Sequence, residues 1–184
     1  MKHIKPIKEV KHNDIVYHLF REEEEGLVCI KVDLGHLSAA THHPMLTQVG
    51  RGGIKPDGTF TGILTMKDKD GKYLHPNTRG SFVMKLLIDT ELETGKTFKQ
   101  SKSLWVHGAG VSDNLDKFNE GLAKGLNEKE AALQTWSGQW LKAHHGFNAV
   151  KDLHGTFQEE KNETGKSYKH YTEVVMFFYK DDQS

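Results

Sequence analysis

Histidine is the residue this chain over-uses, with 12 copies where average composition gives roughly four. His36, His42, His43 and Arg51 fall in one glycine-containing stretch, His75 and Arg79 in the next, and His107 in VHGAGV. His144 and His145 close a helical run, and His154 and His170 flank the last hairpin. Imidazole titrates near neutrality, so two such rings, or a ring and a lysine, can flank a phosphodiester as general base and general acid. A guanidinium beside them stabilises charge developing on phosphorus. That chemistry needs no metal and no cofactor. It gives the acid/base roles to His144, His145, His154 and His170, and phosphate holding to Arg51 or Arg79. A competing reading makes His42, His43 and His75, with a carboxylate, the ligands of a metal-dependent hydrolase, although no HExxH or HxH spacing accompanies them. The plainest reading leaves these rings on the surface, with His144 and His145 favoured at a helix C-terminus by the macrodipole.

Other residue types offer less. Gly50-Arg51-Gly52-Gly53 has the composition of a backbone anion nest or of a plain turn. Gly108-Ala109-Gly110 runs into a helix start, where free amides attract phosphate, but it lacks a Walker lysine and dinucleotide spacing. Trp136 and Trp140 stand one helical turn apart, as core residues or as a stacking platform for bases. Thr135 and Ser137 beside them read as solvent-facing hydroxyls. The single cysteine, Cys29, sits in an apolar run and reads as a small buried hydrophobe.

These side chains are far apart in the chain, so a fold must bring them together. The stretch 112–145 has the only sustained helical period: Leu115, Phe118 and Leu122 make one stripe, and Ala132, Trp136, Trp140 and Ala143 another. Two helices are expected, about 112–125 and 128–145. Gly125 is placed to end the first, Asn127 and Glu130 have capping-box spacing, and Gly146 stops the second. Strands are expected at 15–20 and 27–34, joined by a solvated turn at Glu22 to Gly26, and again at 59–66. The run 81–91 is apolar on both faces and reads as a central strand, turned at Glu93-Thr94-Gly95-Lys96 into another strand over 97–106. A second ETGK, at 163–166, joins strands at 149–159 and 168–180. Residues 35–58 show no period and read as a long loop. The fold class is α+β: one domain over 1–184, an antiparallel sheet built from hairpins with two consecutive helices packed on it. Its β-rich part is 1–110, and its helix-helix-hairpin part is 111–184.

Charge restricts the partners. The 25 Lys and Arg balance 25 Asp and Glu, so no global positive field draws the chain to nucleic acid or to anionic membrane. The first segment, MKHIKPIKEVKHND, lacks the apolar core of a signal peptide, and no run reaches membrane-spanning length. A soluble protein is expected, cytoplasmic or exported without a cleaved leader, with no membrane partner.

The C-terminal third resembles the ends of bacterial polymorphic toxin modules carried by contact-dependent and secretion systems. The matching features, within roughly 105–180, are EAALQTWSGQW (Glu130 to Trp140), His145-Gly146-Phe147, and a hairpin ending in YTEVVMFF (Tyr171 to Phe178). Many such modules resemble the barnase, colicin and RelE group of metal-independent ribonucleases. The resemblance implies helices on a short antiparallel sheet, RNA as substrate, and cleavage by His, Lys, Arg, Thr or Ser. One property departs from that group: from Asp113 onward nine Lys or Arg face twelve Asp or Glu. Residues 1–110 carry sixteen basic and thirteen acidic side chains, so a phosphate groove would draw on Arg51, Arg79 and Lys102. The leading expectation is therefore a toxin-like endoribonuclease. Its competitor is a non-catalytic binding or inhibitor protein, immunity or phage-encoded, whose partner is a cognate or target protein docking on the 35–58 loop and the strand edges. The third candidate is the metal-dependent hydrolase.

Overall fold

In the computed structural model, residues 6–33, 46–65, 67, 70–74, 77–107 and 113–182 are described. They form two compact units, Met1–Phe98 and Lys99–Ser184, each a mixture of antiparallel strands and helix. The α+β class is thus met. The boundary falls earlier than 110 because residues 100–106 pair within the second unit.

The first unit is a meander of β1 (Pro6–His12), β2 (Ile15–Arg21), β3 (Val28–Asp33), β4 (Leu46–Ile54) and β5 (Thr59–Leu64), each antiparallel to the next. Asn13 and Asp14 both have positive φ, as a two-residue hairpin turn requires, and they join β1 to β2. Alternation puts Ile15, Tyr17 and Leu19 of β2 on the buried face, and the register sets Tyr17 against Val32 and Leu19 against Ile30. Cys29 is buried, its thiol donates to Gln48 Oε1 at 3.1 Å, and burial pushes its pKa upward.

The run 81–91 is not a strand. It lies in α1 (Gly80–Glu93), which buries Val83, Leu86, Leu87, Ile88, Thr90 and Glu91 and packs on β3, β4 and β5. A short run that is apolar all round fits a buried helix as well as a central strand, and here the positions 83, 87 and 90/91 carry the helical period. The first ETGK is accordingly the C-terminus of α1, where the Thr94 hydroxyl donates to Glu91 O at 2.7 Å. The expected loop at 35–58 is also wrong over Leu46–Ile54, which is β4. The glycines there are neither a nest nor a turn. A Cβ on Gly50 would come within 2.5 Å of Val83 Cγ1, and one on Gly53 within 2.9 Å of Leu27 Cδ2 and 3.1 Å of Glu91 Oε2. They let helix and strand approach.

Glu91 is the buried charge that locks this packing. Its side chain is fully buried and accepts from Arg21 Nη1 at 2.7 Å, Lys96 Nζ at 2.6 Å and the Ile54 N–H at 2.8 Å. Burial pushes its pKa up, yet the bonds from Lys96, Ile54 and Arg21 outweigh that and hold it below the ordinary glutamate value.

The second unit contains β6 (Gln100–Val106), α2 (Asn114–Ala123), α3 (Glu128–Leu133), α4 (Trp136–His145), β7 (Ala149–Lys161) and β8 (Ser167–Tyr179). β8 is the middle strand, antiparallel to both β6 and β7. Leu115, Phe118 and Leu122 of α2 are buried as their stripe predicts, and Phe118 packs with Trp105 and Tyr171. Asn119 fixes α2 to β8 by accepting from the Tyr171 N–H at 2.8 Å and donating to Tyr171 O at 2.9 Å. Asn127 caps α3 through the Glu130 N–H at 2.8 Å, and Gly125 and Gly146 adopt the left-handed conformation expected of helix ends.

The expected single helix over 128–145 is two. Thr135 is fully buried, its hydroxyl donates to Ala132 O at 2.6 Å, and it accepts from the Gly138 N–H at 3.0 Å, so it caps a new helix. The break rotates the second stripe. Trp136 is 42% exposed and Ala143 is exposed, whereas Ser137 is buried and bonded to Asn114 in both directions.

Candidate functional site

The hairpin β7–β8 closes on the second ETGK, where Asn162 accepts from the N–H groups of Thr164 and Lys166 at 3.0 and 2.9 Å. Its register sets Glu160 opposite Tyr168 and Gln158 opposite His170, and alternation puts all four on one face. The other face carries Phe157 and Tyr171 and is the one turned to the helices, with the Tyr171 hydroxyl donating to Glu128 Oε1 at 3.0 Å. On the first face the Tyr168 hydroxyl lies 3.4 Å from Glu160 Oε2 and 3.4 Å from His170 Nδ1. His170 Nδ1 is 3.7 Å from the same carboxylate oxygen. Burial, followed by the charge and hydrogen bond of Glu160, raises the Tyr168 pKa, so the phenol keeps its proton. The His170 ring therefore meets the Tyr168 hydroxyl at Nδ1, with the Glu160 carboxylate just beyond hydrogen-bond reach, and its other nitrogen, Nε2, is the one with which imidazole could take and return a proton.

The other expected acid/base residues occupy separate places. His154 directs Nδ1 to its own neighbour's carbonyl, Asp152 O, at 2.9 Å. It lies four residues along β7 from Gln158, the partner of His170, so the two histidines are about 13 Å apart at ordinary strand rise. His144 and His145, on the last turn of α4, pack their rings about Trp140 with centroids 4.7 and 5.5 Å away. His145 also meets Phe147 at 6.0 Å. The tryptophan thus works as a shelf for imidazoles at a helix C-terminus, where the dipole favours them.

The arginines all precede residue 99 and belong to the first unit. Arg51 is engaged twice over: it donates to Glu22 Oε1 and Oε2 at 2.6 and 2.8 Å and to Glu25 Oε2 at 2.8 Å. The pairing raises the arginine's pKa and lowers that of Glu22, with the Arg51 hydrogen bond as the largest cause for the acid. A phosphate at Arg51 would have to displace two carboxylates. The glutamate turn is therefore a clamp on Arg51, with Glu22 and Glu25 as its jaws. Arg79 stands at the N-cap of α1 and donates to Thr78 O at 3.1 Å. His36, His42, His43 and His75, and with them the metal reading, lie outside the described residues, as does the 108–110 glycine segment. Among the described residues no group of three His, Cys, Asp or Glu is arranged to hold a metal ion.

Glu160 and Tyr168 were not singled out in the sequence, although their signal is present. Each stands two residues outside the Asn162–Lys166 turn, which makes them cross-strand partners once the hairpin is recognised. The pair Glu9 and His18, opposite one another on β1 and β2 with Oε1 3.1 Å from Nδ1, went unnoticed because β1 itself did. Comparison of the chain with protein-family models, with curated proteins and with solved structures finds no match in any of the three.

Proposed function

We propose that this chain is a toxin-like endoribonuclease whose proton-transferring group is His170. The observation that carries the reading is the meeting of His170, Glu160 and Tyr168 on one strand face. Tyr168, whose hydroxyl donates to Glu160, orients the ring through Nδ1, and Nε2 takes the proton of a ribose 2′-hydroxyl. The 2′-oxygen then attacks the adjacent phosphorus, and the bond to the 5′-oxygen breaks. The charged imidazole returns its proton to that leaving oxygen, giving a 2′,3′-cyclic phosphate and a 5′-hydroxyl. This mechanism asks nothing of His144, His145 or His154, and it assigns no step to Arg51 or Arg79. The test is incubation with total RNA at neutral pH in excess chelator. Fragmentation is expected, with His170→Ala slowing it at least about a hundredfold; RNA left intact by the wild type removes the proposal.

A second reading, a non-catalytic inhibitor or immunity-type protein, is favoured by the charge of the part of this unit that carries the helices and the hairpin, residues 113–184. Twelve acidic against nine basic side chains from Asp113 onward suit a basic protein surface better than a phosphate backbone. In that case His170→Ala leaves activity unchanged, and charge reversal at Glu159 and Glu160 weakens binding to a basic partner.

A further inference from the structure

The sheet of the second unit has two faces of different composition. Val174, Met176 and Phe178 of β8 are 0% exposed, and Phe178 meets Trp105, which packs on Phe118 of α2, so these residues point to the helices. Alternation therefore puts Glu173, Val175, Phe177 and Tyr179 on the opposite face. Phe157 pairs with Tyr171 and Thr156 with Glu173, so β8 carries one extra residue there, and this bulge leaves His170 on the same side, away from the helices.

Register arranges that face in rows. Lys102 and Lys151 stand opposite Phe177 from either side, and Leu104 and His154 stand opposite Val175. Directly opposed residues share a face, with Cβ atoms about 5 Å apart, so Phe177 is bracketed by two cations. The Lys151 Nζ lies 5.0 Å from the centre of the Tyr179 ring. Both lysines and His154 are exposed, Phe177 and Tyr179 are part-exposed, and Leu104 is 55% exposed. Among the described residues neither lysine is ion-paired. Accessible rings edged by unpaired cations suit a single strand, whose bases stack on the rings while its phosphates meet the cations. A duplex hides its base faces, and an acidic protein surface would use the lysines but leave the rings uncovered.

We propose that this face binds single-stranded RNA, with bases on Phe177 and Tyr179 and phosphates on Lys102 and Lys151, and so holds the strand on the side of the sheet that carries His170. The choice of RNA rests on the ribonuclease reading, but binding is separable from cleavage. Glu173, between Phe177 and His170 on this face, opposes the phosphates and keeps the hold weak. Two lysine contacts give a log–log salt slope of about −1.4 on a single strand.

The experiment is fluorescence anisotropy of a labelled oligouridylate with the full His170→Ala chain in excess chelator, so the RNA stays whole whether or not the wild type is a nuclease. Saturable binding is expected, with the salt slope above. Lys102→Ala and Lys151→Ala, both at exposed positions, are each expected to weaken it several-fold and to halve the slope. Phe177→Leu, which keeps an apolar side chain, is expected to weaken it about tenfold, and a double-stranded RNA to bind about tenfold less tightly than the single strand. Absence of saturable binding overturns the proposal even where the wild type cuts RNA. So does an affinity unchanged by all three substitutions, equal binding of the duplex, or displacement by polyglutamate as effective as by unlabelled RNA. Binding with these losses, in a chain whose wild type leaves RNA uncut, removes the ribonuclease reading and supports this one.

Discussion

Glu91 shows how much one side chain can carry. Its carboxylate is fully buried and bound by Arg21, Lys96 and a backbone N–H, so Glu91→Gln leaves two cations facing an amide. A loss of about 3–5 kcal/mol is expected, read by urea unfolding. Because the folded pKa lies below the ordinary value, Glu91 contributes stability that is full above the unfolded glutamate pKa and is lost as pH falls through the folded one. Glu91→Gln should flatten that acid limb. Tyr171 has the opposite sign. Burial, then the bond and charge of Glu128, push its phenol up to about 12, so its contribution holds below the ordinary tyrosine value and fades as pH rises towards 12. Glu128→Gln should lower the pH at which this phenol ionises, followed by its ultraviolet absorbance. Neither role was legible in the sequence, because both depend on a partner that arrives from another element. The capping residues were legible, since Asn127 and Gly146 act on atoms within a few positions of themselves.

Between elements, glycine governs the closest approaches. Gly50→Ala would press a methyl against Val83 Cγ1, a buried side-chain neighbour, and a cost of about 1–3 kcal/mol is expected. Val83→Ala in the same chain should recover part of that cost, which a double-mutant cycle would measure. Gly138→Ala meets the backbone of Ala132 and Leu133 instead, so no side-chain trimming should rescue it. These contacts explain where reading by periodicity failed. The glycines of β4 remove the alternation that marks a strand, and the run Phe82 to Ile88 in α1 is apolar too continuously to separate periods of 2 and 3.6. The helical span 128–145 looked unbroken because Thr135 is an ordinary helix residue in a pattern but a cap in space. The hairpins at 15–33 and 149–179 were legible, since alternation and turn residues agree in both.

At the scale of the whole molecule, five of the 12 histidines lie outside the described residues, and within each unit the described ones are not gathered into one cluster. Of the described rings, His12 stands on Phe82, His18 on Glu9, His144 and His145 together on Trp140, His154 on a carbonyl, and His170 beside Tyr168 and Glu160. Convergence is a property of register and packing, which residue counts do not contain. Among the described residues no helix is long and apolar enough to cross a membrane. The catalytic proposal rests on His170 alone among the expected rings, and with a formal charge of zero the chain has little long-range pull on RNA. Any RNA affinity should therefore fall only weakly with added salt, as a titration from low to physiological ionic strength would show. The most direct measurement is mass spectrometry of the ends formed when a defined RNA is incubated with wild type and with His170→Ala in chelator. The account predicts 2′,3′-cyclic phosphate ends from the wild type and almost none from the variant; equal yields from both proteins, or uncut RNA with the wild type, would contradict it.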